Sequence, residues 1–169
     1  VLDGRRIFEG DEVREPVFND QGTTVAFIAR TLEPDRDVVV VGDTRSESYE
    51  YAGDITFSPD GRTVAYVVRE GNREEGAREF VVSGDRKSPP FERVSRPMFR
   101  PDGRGVVYIA NDGAKMFVME GGVRGEKFDN VDGLVYSPDD ARLTYYAFNR
   151  GVEEGQSDRS YVVVGKKRH

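Results

Sequence analysis

One spacing recurs four times along these 169 residues and restricts the possible folds more than any other feature. Each copy opens on an aromatic residue followed by an acid: Phe8-Glu9, Tyr49-Glu50, Phe91-Glu92 and Phe128-Asp129. A second aromatic follows eight to ten residues later (Phe18, Phe57, Phe99, Tyr136) and a third nine residues after that (Phe27, Tyr66, Tyr108, Tyr145). A period of about 40 residues marks a repeat architecture, in which a small unit cannot bury its apolar surface alone and must stack on its neighbours.

The second copy shows what the unit contains. Asp54 to Ser58 reads as a short strand, and Pro59-Asp60-Gly61 as a tight turn: proline presets φ, the aspartate caps the turn, and glycine tolerates φ > 0. Thr63 to Val68 is a second strand rich in β-branched and aromatic residues, Glu79 to Ser83 a third, and Ser88 to Val94 an outer fourth, where Pro89 and Pro90 are tolerable. The second strand of each copy is apolar on both faces: Val64, Tyr66 and Val68 against Ala65 and Val67, with the same alternation at Val25 to Ala29 and Val106 to Ala110. Such a strand belongs in a sheet covered on both sides. No helical periodicity exists to provide the cover, so the cover is another copy of the same sheet. Four-stranded antiparallel sheets stacked face to face around an axis form a β-propeller.

The segment Phe57-Ser58-Pro59-Asp60-Gly61-Arg62-Thr63-Val64-Ala65-Tyr66 strongly resembles the WD-like propeller repeat of the TolB type, and Phe99-Arg100-Pro101-Asp102-Gly103 and Tyr136-Ser137-Pro138-Asp139-Asp140 are close variants. The first copy, Phe18-Asn19-Asp20-Gln21-Gly22, keeps the turn chemistry without the proline, and the chain has no tryptophan. The resemblance covers essentially residues 1–169 as one domain of four repeats. It implies a periplasmic or extracellular protein and does not single out an activity, since many functions share this fold.

A propeller needs closing. Label the strands of a blade a to d from axis to rim. A lone d strand around Ile7-Phe8-Glu9 opens the chain, three full units follow, and strands a to c of a fourth end it at Tyr161 to Gly165. The expectation is a closed four-bladed ring in which the N-terminal strand completes the last blade. The alternative is half of a larger ring, completed by a second chain or by further sequence, so the chain is expected as a monomer or a homodimer.

The functional reading proceeds largely by exclusion. The net charge of -6 and the scatter of Lys and Arg argue against nucleic acid as a partner. There is no cysteine, and the single histidine is the last residue, His169, so a thiolate or histidine metal cluster and a Ser-His-Asp triad are not expected. No apolar run approaches the length of a membrane span, and none reads as a signal peptide. The chain begins at Val1, as a processed or excised sequence would. The repeated aspartates Asp60, Asp102 and Asp139 read as turn caps, not as a calcium loop, which needs oxygen donors at alternating positions in one segment. Carboxylates near the d-to-a links (Asp11, Glu12, Glu15, Asp54 and Asp132) could line a central channel. Asp54 and Asp132 are the channel candidates, and Ca²⁺ is the ion oxygen donors alone would take. The expectation is nevertheless a chain without metal or cofactor and without catalysis.

What remains is loops. In propellers the b-to-c and d-to-a connections share one face. Three b-to-c segments read as long and charged: Thr31 to Asp37, Glu70 to Arg78 and Arg150 to Arg159. Loops on a rigid scaffold are where binding residues concentrate. Arg73, Glu74, Glu75, Glu153 and Glu154 are therefore the binding-face candidates, for a protein or polymer partner. The other two readings are an accessory propeller of a peptidase of the prolyl-oligopeptidase type and a metal-dependent propeller hydrolase or lactonase.

Overall fold

Hydrophobic alternation on both faces commits each strand to a sandwiched sheet, and the architecture follows from that commitment. The computed structural model describes residues 8–71, 76–137, 139, 142–151 and 156–165. Within them there are sixteen strands and no helix: β1 (Glu12–Phe18), β2 (Val25–Leu32), β3 (Asp35–Val41), β4 (Thr44–Tyr49), β5 (Tyr51–Phe57), β6 (Val64–Glu70), β7 (Arg78–Ser83), β8 (Arg86–Lys87), β9 (Arg93–Val94), β10 (Met98–Phe99), β11 (Val106–Asn111), β12 (Met116–Glu120), β13 (Val123–Phe128), β14 (Asn130–Tyr136), β15 (Leu143–Asn149) and β16 (Arg159–Val164). They form four antiparallel sheets, β1-β2-β3-β4, β5-β6-β7-β8, β9/β10-β11-β12-β13 and β14-β15-β16. The first three are four-stranded blades, because β9 and β10 are two pieces of one inner strand, both paired with β11.

The inner strands share one irregularity. Register breaks between Arg14 and Val17 in β1, between Gly53 and Thr56 in β5, and between Asp132 and Val135 in β14. The same break separates β9 from β10. Each is a β-bulge, which bends the strand and re-aims a side chain. Glu15 (φ 53°), Asp54 (φ 58°) and Gly133 (φ 70°) occupy the same position in the bulges of the first, second and fourth blades, and each takes left-handed backbone. Only glycine adopts that conformation freely. The Pro-Asp-Gly turns behave as their composition dictates. Ser58 Oγ donates to Asp60 Oδ1 at 2.6 Å and accepts from Thr63 N at 3.0 Å, while Asp60 Oδ1 accepts from Arg62 N. In the first repeat Asn19 does this work, its Oδ1 accepting from the amides of Thr23 and Thr24. Gly61 has φ 69°, and a Cβ there would lie 2.2 Å from Gln21 Oε1. The turn of the second blade is thus pressed into that of the first.

Three apolar clusters sit between consecutive blades. Ile28 and Val39 meet Tyr66 and Val68 between the first and second, Val81 meets Tyr108 and Phe117 between the second and third, and Ile109 and Val118 meet Leu143 and Ala147 between the third and fourth. Each junction repeats an edge-to-face aromatic pair: Tyr49 with Tyr66, Phe91 with Tyr108 and Phe128 with Tyr145, centroids 6.3 to 6.4 Å apart. The d-strand aromatic of one blade leans on the b-strand aromatic of the next. Phe8 completes the series on Phe27 at 5.2 Å.

Several sequence expectations change. Strand pairing places Gly10-Asp11, not Phe8-Glu9, at the register of the other aromatic-acidic pairs, since Glu12 faces Arg30 as Asn130 faces Phe148. A Cβ at Gly10 would lie 2.6 Å from the Phe8 ring, so Phe8 reaches the aromatic slot across a glycine from two residues upstream. Thr31 to Asp37 is no long loop, because β2 and β3 stay paired as far as Leu32 and Asp35. The outer strand expected over Ser88 to Val94 shrinks to β8 at Arg86–Lys87, a bridge from Glu79 to Phe91 and the inner piece β9, because Pro89 and Pro90 cannot donate to a ladder. Gly125 lies within β13, where its missing side chain lets Val118 O approach.

The expected closing strand falls at the edge of the described residues. Ile7 lies outside the described residues, and Phe8 and Glu9 carry no strand. Among the described residues β16 pairs along one edge only, with β15, and no apolar cluster joins the fourth sheet to the first.

Removing an inter-blade ring tests the packing. Tyr66→Ala removes a ring buried in the first junction and should cost about 3–5 kcal/mol, the range for large aromatics. Urea unfolding at neutral pH checks it, with a lower midpoint and an unchanged slope as the expected outcome.

Candidate functional site

Two places in this scaffold gather polar groups: the bulged inner strands and the shallow clefts between blades. On the inner strands one buried carboxylate organises its neighbours. Asp37, on β3, is fully buried. It accepts two hydrogen bonds from Arg14 of β1 (3.0 and 2.6 Å), one from Arg30 of β2 (3.2 Å) and one from the Ala52 amide of β5 in the next blade (2.8 Å). Arg14 also donates to the Ala52 carbonyl at 3.0 Å. Burial works to raise the carboxyl pKa, but the Arg14 hydrogen bond, the Ala52 amide and the charges of both arginines outweigh it, and the group is held below the usual carboxylate range. The second junction has a simpler version, in which Glu79 of β7 accepts from the Val94 amide of β9 at 2.9 Å. At the third, Met116 stands in that register and packs into the apolar cluster.

The b-strand tyrosines are tied across the same junctions. Tyr66 hydrogen-bonds Ser46, and Tyr108 hydrogen-bonds Ser88, each serine lying in the outer region of the preceding blade. Those serines also accept the amides of Val39 and Val81, at 2.9 and 3.0 Å. Burial pushes both phenols up, Tyr66 further because Tyr49 lies beside it. These groups are neutral at physiological pH, and their hydrogen bonds tie adjacent blades together. Ser46, Ser88 and Gly125 each stand three residues before a junction aromatic, a small-residue signal that aligning the repeats would have exposed. Nothing in the sequence separates Asp37 from Asp35 two residues earlier; both lie on one face of β3 and both reach Arg30, but the next blade covers Asp37 and leaves Asp35 exposed.

The channel candidates separate. Asp54 sits on its bulge with its amide donating to Glu15 Oε2 of the first blade at 3.0 Å. Asp132 stands one register earlier in its own repeat, is exposed, and accepts from the adjacent Gly133 amide. Asp11 links the first blade by accepting from the Leu32 amide, as Asp129 accepts from that of Arg150. Glu12 pairs with Arg30 in the ladder and is exposed. Among the described residues no three acidic or histidine side chains form a group able to hold a metal ion. The binding-face candidates Arg73, Glu74, Glu75, Glu153 and Glu154 lie outside the described residues; the stems of their hairpins, Glu70 paired with Arg78 and Asn149 paired with Arg159, lie within them.

The clefts recur at each junction on the Pro-Asp-Gly side, with volumes of about 300, 250 and 390 Å³ from first to third. Tyr66, Tyr108 and Tyr145 line them in turn, with Arg45 and Arg62, Arg86 and Arg104, and Arg100 and Arg124 at their edges. All are open, and their recurrence marks them as the gap that splayed blades leave.

No family model and no curated protein matches the chain. Solved structures do. The β-propeller domain of the Trilobed protease from Pyrococcus furiosus, described as having an open velcro topology, matches with a TM-score of 0.54 and 15% identity over 92% of this chain and 55% of that one. An acylaminoacyl peptidase from Pyrococcus horikoshii matches with a TM-score of 0.57 and 12% identity over 89% of this chain and 30% of that one. TolB from Acinetobacter baumannii matches with a TM-score of 0.52 and 14% identity over 92% of this chain and 43% of that one. The chain spans about half or less of each.

The Asp37 cluster makes a direct prediction. Asp37→Ala leaves Arg14 without its partner and should cost about 3 kcal/mol, as breaking a buried pair does. Because the folded carboxyl is held below its unfolded value, this stabilisation is present above the unfolded range near about pH 4 and is lost as pH falls through the lowered folded value. Melting temperatures should therefore fall more steeply on acidification in the parent than in Asp37→Asn. With blades stacked through repeated aromatic junctions and neighbours of this kind, the chain has the β-propeller fold, consistent with the TolB type.

Proposed function

We propose that this chain is a non-catalytic propeller module that binds a protein or polymer partner through the face carrying its b-to-c hairpins. The observation that carries the reading is the contrast between the two ends of the same scaffold. On the Pro-Asp-Gly end the turn hydrogen bonds repeat from blade to blade. On the other end the hairpins differ in every repeat: β2 and β3 join tightly, β11 and β12 through a short turn, β6 and β7 across residues 71–77, and β15 and β16 across residues 150–158. A scaffold that holds one end constant and varies the other concentrates specificity in the varied end. The inner carboxylates support the reading, since Asp37 and Glu15 are engaged with backbone amides of the adjacent blade. An accessory role beside a peptidase is the second reading, favoured by the peptidase chains among the structural neighbours. Among the described residues no helix is long and apolar enough to cross a membrane, and a periplasmic or extracellular site remains part of the proposal through the TolB likeness.

Replacing Arg73, Glu74, Glu75, Glu153 and Glu154 with serine should leave the melting temperature nearly unchanged, because exposed ion pairs contribute only about 0–1 kcal/mol. Partner affinity should fall, and binding by the parent should weaken as salt is raised. Equal binding by the loop variant, with loss on changing Arg62 or Arg104 instead, would move the partner surface to the opposite end. Purified protein should not turn over ester, lactone or peptide substrates. Turnover abolished by Asp54→Asn or Asp132→Asn would overturn the non-catalytic reading.

A further inference from the structure

The gap between blades recurs, but its lining does not, and the second cleft departs from the other two in charge and in shape. Arg86, Lys87 and Arg104 line it, and no acidic residue does. Lys87 is committed, since it pairs with Glu70 and lies 4.2 Å from the centroid of the Phe80 ring. Among the described residues neither the Arg86 nor the Arg104 guanidinium has an ion-pair partner. Arg104 engages Asp102 through its amide, and that carboxylate is already paired with Arg100 at 2.6 Å. In the first cleft Arg45 is spent over the Phe8 ring, and in the third Glu120 joins the lining. The shape is set by two glycines that stand where sister repeats carry side chains. Gly42, Gly84 and Gly121 are equivalent, their amides donating to the carbonyls of Val25, Val64 and Val106, and the residues after them are Asp43, Asp85 and Gly122. Gly105 is likewise equivalent to Thr24, Thr63 and Arg142, each carbonyl accepting the amide that opens its turn. Gly105 and Gly122 both line the second cleft, and a Cβ at Gly122 would meet nothing within 4 Å.

We propose that the second cleft binds a small organic dianion, a phosphate monoester carried on a compact apolar body. Arg86 belongs to the outer strand of the second blade and Arg104 to the inner turn of the third, so one guanidinium comes from each wall. Two uncommitted guanidiniums match two negative charges, and each presents the planar fork that phosphate oxygens accept. The body of the ligand has apolar surface to rest on, from Val81, Pro89, Val106 and Tyr108. The Tyr108 hydroxyl is turned to Ser88, so that residue offers the cleft its ring. Glycine at 122, where the first two repeats have aspartate, keeps a carboxylate away from the bound anion, and glycine at 105 leaves space beside Arg104. The volume of about 250 Å³ sets the size of the ligand. It falls just below the roughly 300–1,000 Å³ of pockets that take drug-sized molecules. The inference does not rest on the partner reading above, because this cleft opens at the Pro-Asp-Gly end and not at the hairpin end.

Amide NMR spectra of the chain, titrated with phenyl phosphate, test it. Saturable shifts are expected at Arg86, Gly105, Gly121 and Gly122, with a dissociation constant of roughly millimolar order for so small a ligand. Phenol, which has the body without the charge, should leave those signals in place. Inorganic phosphate, which has the charge without the body, should bind more weakly than phenyl phosphate. Arg86→Ser and Arg104→Ser should each raise the dissociation constant about tenfold, the effect of losing a hydrogen bond to a charged group. Both side chains are exposed and unpaired within the fold, so neither change should move the melting temperature. Arg62, which precedes Thr63 as Arg104 precedes Gly105, is the control in the first cleft, and Arg62→Ser should bind as the parent does. A titration without saturable shifts would overturn the proposal. So would equal weakening by Arg62→Ser, which would mean attraction to any arginine of that end, or phenyl phosphate held no better than inorganic phosphate, which would mean a site for bare anions.

Discussion

A sheet that is apolar on both faces has no stable existence by itself, and everything in this molecule answers to that constraint. Each blade supplies cover for the next and needs cover from the one before. The unit of stability is therefore the junction and not the sheet. The junctions are built alike: an edge-to-face aromatic pair toward the rim, interleaved valine, isoleucine and alanine in the middle, and backbone groups at the inner strand. Aromatic pairs in this geometry add about 0.5–1.5 kcal/mol beyond the area they bury, and they fix the spacing between blades in a way aliphatic contact alone does not.

Polar groups divide the labour unequally among the junctions. The first has a buried carboxylate shared by two arginines and an amide of the next blade, the second a single glutamate on the corresponding amide, and the third neither. A buried ion pair is weak evidence for added stability, since desolvation offsets much of the attraction. Its effect at the first junction is one of registration. Asp37 accepts from the Ala52 amide while Arg14 donates to the Ala52 carbonyl, so β5 is held at both groups of one residue and cannot slip along β1 and β3.

The legible part of this fold was the part that repeats. The aromatic spacing and the Pro-Asp-Gly turns placed strands in all four copies, because both depend on chemistry local to a few residues. Where reading failed, a non-local contact decided. Phe8 looked like the head of the first repeat because it is an aromatic before an acid, but the ladder aligns Gly10 there, and Phe8 arrives from upstream only because glycine leaves room for its ring. Thr31 to Asp37 looked like a loop because it is polar, but its charges lie on paired strands, with Asp37 turned into the next blade. Among the site residues Asp54 and Asp132 were equally plausible by sequence. The bulge separates them, giving Asp54 the left-handed backbone and leaving that place in the fourth blade to Gly133.

That bulge position carries a cost that bears on how the axis is used. Glutamate and aspartate with positive φ at Glu15 and Asp54 are strained where glycine would not be, each by roughly 1–3 kcal/mol. The strain persists because a tertiary contact holds it: the Glu15 carboxylate accepts the Asp54 amide, so the two strained residues of adjacent blades secure one another. The third blade answers with Arg96, whose guanidinium donates to the Ile55 carbonyl of the second at 3.1 Å. The inner row thus forms a chain of blade-to-blade hydrogen bonds, each side chain reaching a backbone group of the adjacent blade. In the fourth blade the position is Gly133, which has no side chain to reach the inner strand of the third. The described residues near the axis thus act as the innermost layer of the first and second junctions.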